Sequence, residues 1–302
     1  MKIIFLATCA FKGLTLIPNT LAAPIPVTFT LDPARSSVTM SGTVQGNTIS
    51  QQGAGSLTTR YDGTLKTDLR GNSIQFTTGS FVDAEVNGNW EPKIGGAAGN
   101  DPADYAGQAL NLFATVKAAL RNLLLNVTSQ ALPVSGTNFN ASAIEFAFPS
   151  SGSSSLDYRV TGLITDSGTR TLSGLASNAV GSTGTLVTAG NRQELTIPID
   201  ATFQFNLFAP NDVTLHFTGS LVATRPFGDT ERLQTLVSLS GNTVTLEWQS
   251  AANESNNIES SVDLKIWAPR EQGVLSSGPV TTWTATKTGP VELFRRKRTG
   301  TP

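Results

Sequence analysis

From Val27 onward the chain alternates apolar and polar residues in short runs. Val27–Leu31 and Ser37–Val44 open the series, with Val38 and Met40 on one face. Leu57–Leu65, Ser73–Thr77 and Ser80–Val86 follow, punctuated by Asp62-Gly63, Arg70-Gly71-Asn72 and Asn87-Gly88 turn chemistry. Ile144–Phe148, Leu156–Ile164, Leu172–Leu175, Leu186–Thr188, Glu194–Ile199, Ala201–Phe208 and Val213–Ala223 continue it. A two-residue period means one buried face and one wet face per strand. Short strands broken by Gly, Asn, Asp and Pro predict a mainly β fold, an antiparallel sandwich or barrel.

One stretch departs from this rhythm. Asp101-Pro102-Ala103-Asp104 has an acid at a helix N-cap position and proline at the first helical position. Tyr105, Ala109, Leu112/Phe113, Val116, Leu120 and Leu123/Leu124 then recur at three- and four-residue steps, with Lys117 and Arg121 on the other side. The spacing predicts one amphipathic helix near 102–125. It would cover a barrel mouth or sheet edge, or offer an apolar face to a partner or lipid.

The beginning of the chain reads as a secretory leader over 1–22. Lys2 supplies the charge, Ile3–Ala7 and Leu14–Ile17 the apolar stretch, and Thr20 and Ala22 the small residues of a cleavage site. Cys9, in Leu6-Ala7-Thr8-Cys9, loosely imitates a lipid-attachment box and is discarded if the leader is removed. The remainder holds no cysteine and one histidine, His216. Disulfides and clustered Cys/His metal sites are thereby excluded from the mature chain, and any Ser-His-Asp mechanism must use His216. The formal charge of −1 falls to near −3 without Lys2 and Lys12, which leaves no electrostatic footprint for nucleic acid. No apolar run approaches the ~18 residues of a transmembrane helix. The expected location is periplasmic or extracellular.

After Arg225-Pro226-Phe227-Gly228-Asp229, read as a linker, a second unit is expected at 229–302, following a larger domain at 23–228. Val237–Trp248 is a hairpin around Gly241-Asn242, with Val244, Leu246 and Trp248 on one face. Ile258–Trp267, Val280–Thr286 and Val291–Arg298 follow. Trp248, Ser260-Ser261, Asp263-Leu264, Trp267 and Phe294-Arg295 resemble the phrasing of the fibronectin type III-like module that closes many secreted proteins of environmental bacteria. The resemblance implies a small β-sandwich with an accessory role. Ile258 stands where that family carries tyrosine, and Arg295-Arg296-Lys297-Arg298 is unusually basic, a run suited to an anionic polymer or lipid.

Phe29-Thr-Leu-Asp32-Pro33-Ala34-Arg35-Ser36-Ser37-Val38 and Val160–Arg170 resemble, more weakly, the YceI-like family of secreted eight-stranded barrels. That likeness implies polyisoprenoid lipid as ligand, although Arg35 replaces the family's histidine. On that reading Phe76, Phe81, Phe146, Phe148, Phe203, Phe205 and Phe208 line a cavity; otherwise they fill a core.

Catalytic signals are sparse. His216 falls on the polar face of Val213–Leu221, and the acids are scattered singly, without a paired-carboxylate context. Asn100, Asp101, Asp104, Asp62 and Asp68 form no calcium loop pattern, and Gly95-Gly96-Ala-Ala-Gly99 lacks the context of a phosphate loop. No catalytic, cofactor or metal residue is assigned. The leading expectation is a non-catalytic envelope or extracellular binding or structural protein. Its partner is a cell-surface polysaccharide or lipid, met through Trp90 and Trp283 as exposed aromatics or through Phe203 and Phe205. A hydrophobic-ligand carrier and a carbohydrate-active accessory protein or hydrolase are the alternatives.

Overall fold

Alternation in Arg192–Phe205 becomes a 14-residue strand that buries every second residue, from Gln193 through Leu195, Ile197, Ile199, Ala201 and Phe203 to Phe205. Val213–Pro226 pairs with it along its whole length, from Phe205↔Val213 to Arg192↔Pro226. The computed structural model describes residues 24–70, 72–92, 101–210, 212–227, 235–276, 278–289 and 292–299. The expected leader, with Cys9, lies outside them, as do residues 93–100 and 228–234.

Eight antiparallel strands close a barrel. Ile25–Leu31 pairs with Thr58–Arg70, which pairs with Ser73–Phe76, and the ring continues through Leu132–Ser135, Asn138–Asn140 and Thr183–Ala189. Arg192–Phe205 and Val213–Pro226 complete it, and the ring shuts at Thr30↔Thr224 and Leu31↔Ala223. The longest strands extend beyond this ring. The first half of Val213–Pro226 takes Ser37–Val44 as its partner, and the sheet runs on through Asn47–Gln51, Tyr105–Leu110, Ala114–Arg121, Ser155–Gly162 and Asp166–Thr171. Gly219 marks the exchange of partners. Its φ of +156° and a Cβ position 2.2 Å from the Ser37 carbonyl oxygen leave no space for a side chain.

Aromatic rings fill the interior. Phe203 packs against Phe148 and Phe217 at centroid distances of 4.8 and 5.8 Å, and Tyr105 meets Phe217 edge-on at 5.6 Å. Between Met40, Val44, Ala109, Val116 and Leu215 remains a cavity of about 10 Å³, room for one water at most. The outward positions of the long strands carry Arg192, Glu194, Thr196, Asp200 and Thr202. This polar-out, apolar-in arrangement is the reverse of a membrane-spanning barrel. No described helix is long and apolar enough to cross a membrane.

The helix expected near 102–125 does not form. Its residues make three strands, Tyr105–Leu110, Ala114–Arg121 and Leu124–Ser129. Two-residue alternation broken by tight turns at 111–113 and 122–123 imitates a three- and four-residue step. The Asn111 Oδ1 accepts from the backbone N–H groups of Phe113 and Ala114 at 2.8 and 2.7 Å, and Asn122 turns the chain at φ +54°. The expected strand Leu172–Leu175 is instead a turn, with the Leu175 N–H on the Leu172 carbonyl.

Residues 235–298 form two three-stranded antiparallel sheets. Thr235–Ser240, Thr243–Gln249 and Val280–Thr286 make one; Ala268–Leu275, Ser255–Ser261 and Leu293–Arg298 make the other. Val244, Leu246, Trp248 and Trp283 from the first pack on Ile258 and Phe294 from the second. Gly241, at φ +58°, turns the hairpin that closes at Ser240↔Thr243. Arg225 and Pro226, expected in a linker, end a barrel strand, and Phe227 is fully buried. The Arg225 guanidinium donates to Gln193 Oε1 and to Gln249 Oε1, both at 2.7 Å. It lies over the rings of Phe29 and Phe227. A buried, hydrogen-bonded arginine therefore ties this end of the barrel to the C-terminal sheets.

Candidate functional site

The hairpin Tyr105–Arg121 carries both features that stand out from an ordinary β core. At one end is a buried charged centre. Arg121 Nε donates to Asp157 Oδ2 at 2.6 Å, Nη1 donates to the Asp101 carbonyl, and Asp157 Oδ1 accepts from Thr169 Oγ1 at 3.0 Å. Asp104, also buried, accepts the Leu123 N–H at 2.8 Å. Burial pushes the Asp104 carboxyl up to about 7, and the negative charge of Asp83 adds to the rise. The Leu123 hydrogen bond and Arg121 oppose it. Nearby, the Tyr105 hydroxyl lies 3.1 Å from the Val38 carbonyl and 3.3 Å from the Tyr61 hydroxyl, and burial raises both phenols.

A carboxyl that titrates near neutrality suits acid–base chemistry. Here Asp104, Arg121 and Asp157 are buried, with no more than 2% of any of them exposed. What the cluster does is join three strands through charge-assisted bonds in a dry environment.

At the other end of the same hairpin the polarity is inverted. Leu110, Leu112 and Phe113 are 54%, 95% and 64% exposed. Beside them, at the turn following Ser155–Gly162, Leu163 and Ile164 are 81% and 67% exposed. The two turns touch: the Leu163 N–H donates to the Phe113 carbonyl at 3.0 Å. Gly162, at φ +143°, allows the approach, because a Cβ there would stand 2.2 Å from that carbonyl oxygen. Five large apolar side chains thus project from two adjoining turns on a hydrogen-bonded base. Isolated exposed apolar residues are ordinary; a contiguous group marks an interaction surface. Sequence reasoning placed Leu112 and Phe113 on the buried face of a helix and Leu163 and Ile164 in a strand. The available signal was a pair of adjacent large apolar residues directly after a turn-former, Asn111 in one case and Gly162 in the other.

The residues singled out from sequence disperse. Phe203 and Phe205 are buried in the core. Trp283, expected to be exposed, is buried between the C-terminal sheets, where its Nε1 donates to Glu271 Oε2 at 2.7 Å. Trp283 shares the inward side of its strand with the core, and Glu271 satisfies the indole N–H there. Trp90 is half-buried, its indole lying on Gly88. His216 does face outward, and its Nε2 meets Asp200 Oδ1 at 2.7 Å. Ser41 stands opposite His216 in register, yet its hydroxyl turns to the His216 carbonyl at 3.4 Å, away from the ring. The basic C-terminal run is a paired strand rather than a free tail: Arg295 bridges to Glu259, Arg298 to Glu254, and Arg296 lies over Trp248. Comparisons with protein-family models, with curated proteins and with solved structures each return no match.

Proposed function

We propose that this is a non-catalytic binding protein of the cell envelope or extracellular space, whose working surface is the paired turns Leu110–Ala114 and Gly162–Thr165. The observation that carries this reading is the group of five exposed apolar side chains on two turns locked together by a backbone hydrogen bond. Exposing so much apolar surface opposes solubility, and a soluble chain keeps it where a partner covers it. The packing around Met40 and Leu215 supports the same reading, since a carrier of the YceI-like type needs space for an isoprenoid chain and the cavity there is about 10 Å³. The secretory leader read at 1–22 supplies the location. The fibronectin type III-like reading of the C-terminal sheets, supported by the face shared by Val244, Leu246 and Trp248, supplies an accessory module at the opposite end of the barrel.

The test is adsorption of purified protein to washed bacterial envelopes. Replacing Leu112 and Phe113 with serine abolishes retention on this account. Retention equal to that of the unaltered protein removes the turns as the working surface.

A further inference from the structure

Resting on that reading of the turns, we infer that their partner is the surface of an anionic lipid bilayer, into which Leu110, Leu112, Phe113, Leu163 and Ile164 insert. The shape argues for a yielding phase. The side chains project from the tips of two turns, so they form a knob rather than a groove, and a knob needs either a matching pocket or a fluid medium.

Charge placement argues for lipid headgroups. From Ala109 to Val116 and from Val160 to Thr165 there is no charged residue. Counting back from the tips along the two central strands, the first charges are Lys117 and Arg159, both basic. They lie directly opposite each other in register, on the outward side of the sheet. Lys117 is four residues from Phe113, so the pair stands ~13 Å behind the tip at ~3.3 Å per residue. An interfacial segment buries its apolar side ~5–10 Å into the headgroup boundary, which brings Lys117 and Arg159 to the level of the lipid phosphates. Asp166 begins the outermost strand and accepts from the Tyr158 hydroxyl at 3.1 Å, and Glu91 takes Lys117 at 3.2 Å. Those acids limit the attraction, so the apolar insertion carries binding and the basic pair selects anionic surfaces.

Among the described residues, the C-terminal sheets do not obstruct this end. Val213–Pro226 runs 14 residues from the region of the tips to the Arg225–Gln249 contact. The C-terminal sheets therefore sit at the far end of the longest strands, away from the turns.

The test is cosedimentation of the full chain with vesicles of phosphatidylcholine alone and of phosphatidylcholine mixed equally with phosphatidylglycerol. The expected result is binding to the mixed vesicles and weaker binding to the neutral ones. Replacement of both Leu112 and Phe113 by serine should weaken it by about a hundredfold, with the melting curve of the variant unchanged. Reversing the charges, as K117E/R159E, should remove the preference for the anionic vesicles. Absence of sedimentation with either vesicle overturns the lipid assignment, as does binding that ignores the serine substitutions. Light scattering after gel filtration separates the two levels of the argument. Dimers that dissociate on the serine substitutions, without vesicle binding, replace lipid by a second copy of the chain and keep the turns as the working surface. Envelope retention that survives the substitutions overturns both.

Discussion

One hairpin, Tyr105–Arg121, has a fully buried arginine at one end and, at the other, an almost fully exposed leucine beside a largely exposed phenylalanine. Each is the opposite of what hydrophobicity dictates, and the two differ in how completely they are satisfied. Arg121 is held by Asp157 and by the Asp101 carbonyl, and Asp157 in turn by Thr169. Its Nη2 has no partner among the described residues, but the charge itself is balanced inside the protein, so the charged centre belongs to the fold. The described residues leave Leu112 and most of Phe113 uncovered, and water is a poor partner for either. That end of the hairpin points to something outside the chain.

Breaking the charged end has the largest expected effect. Arg121→Met leaves the Asp157 carboxylate buried without its counter-charge and should lower the unfolding free energy by about 3–5 kcal/mol, measured by urea titration. R121M/D157N removes both charges and should recover a large part of that loss. A variant as stable as the parent would mean the centre is not structural.

Asp104 sharpens the same point through pH. The folded state holds its proton to about 7, whereas an ordinary aspartate releases it near 3.8. Between those values the folded state binds the extra proton, so this group's contribution to stability falls as pH rises and levels off above about 7. Asp104→Asn keeps an oxygen for the Leu123 N–H and removes the charge. It should flatten the decline in melting temperature between acid and neutral pH, and an unchanged pH profile contradicts the assignment.

The positioning of the tips comes next. Gly162→Ala forces a side chain against the Phe113 carbonyl at a backbone angle that L residues rarely adopt, at about 1–3 kcal/mol, and should also weaken envelope retention by separating the turns. The smallest effect is expected at the tips themselves. Serine at both Leu112 and Phe113 should change stability by less than about 0.5 kcal/mol, a value to be read from the same urea titration. A large loss there would show the pair to be part of the core.

How legible these features were in the sequence follows from their physics. Ser37–Val44 and Val280–Thr286 were readable to the residue, because strict alternation between well-marked turns fixes both face and limits. Glu194–Ile199 and Ala201–Phe208 read as separate strands, yet residues 194–205 lie on one: the alternation runs through Asp200 at an outward position, and the ladder continues with it to Phe205. The helix over 102–125 was misread for a related reason. When strands of six and eight residues are joined by tight turns, their apolar residues fall at three- and four-residue steps. Burial of Asp104 was invisible, because an acid before a periodic apolar stretch has the local signature of a cap, and only the fold brings Leu123 and Arg121 to it. The candidate site was hidden by the same misreading. Leu112 and Phe113 were assigned inward on a helix, and their exposure emerges only once Asn111 makes a turn and Gly162 brings the neighbouring turn alongside.

The most direct measurement of the central claim places a reporter at the tip. Tryptophan fluorescence of the Phe113→Trp variant is compared with the unaltered protein on anionic vesicles containing brominated phosphatidylcholine. Insertion predicts that the added signal shifts to shorter wavelength and is quenched by the bromines, while the four native tryptophans, among them buried Trp248 and Trp283, are not. A variant that sediments with the vesicles yet shows neither shift nor quenching would mean that the protein binds by another surface.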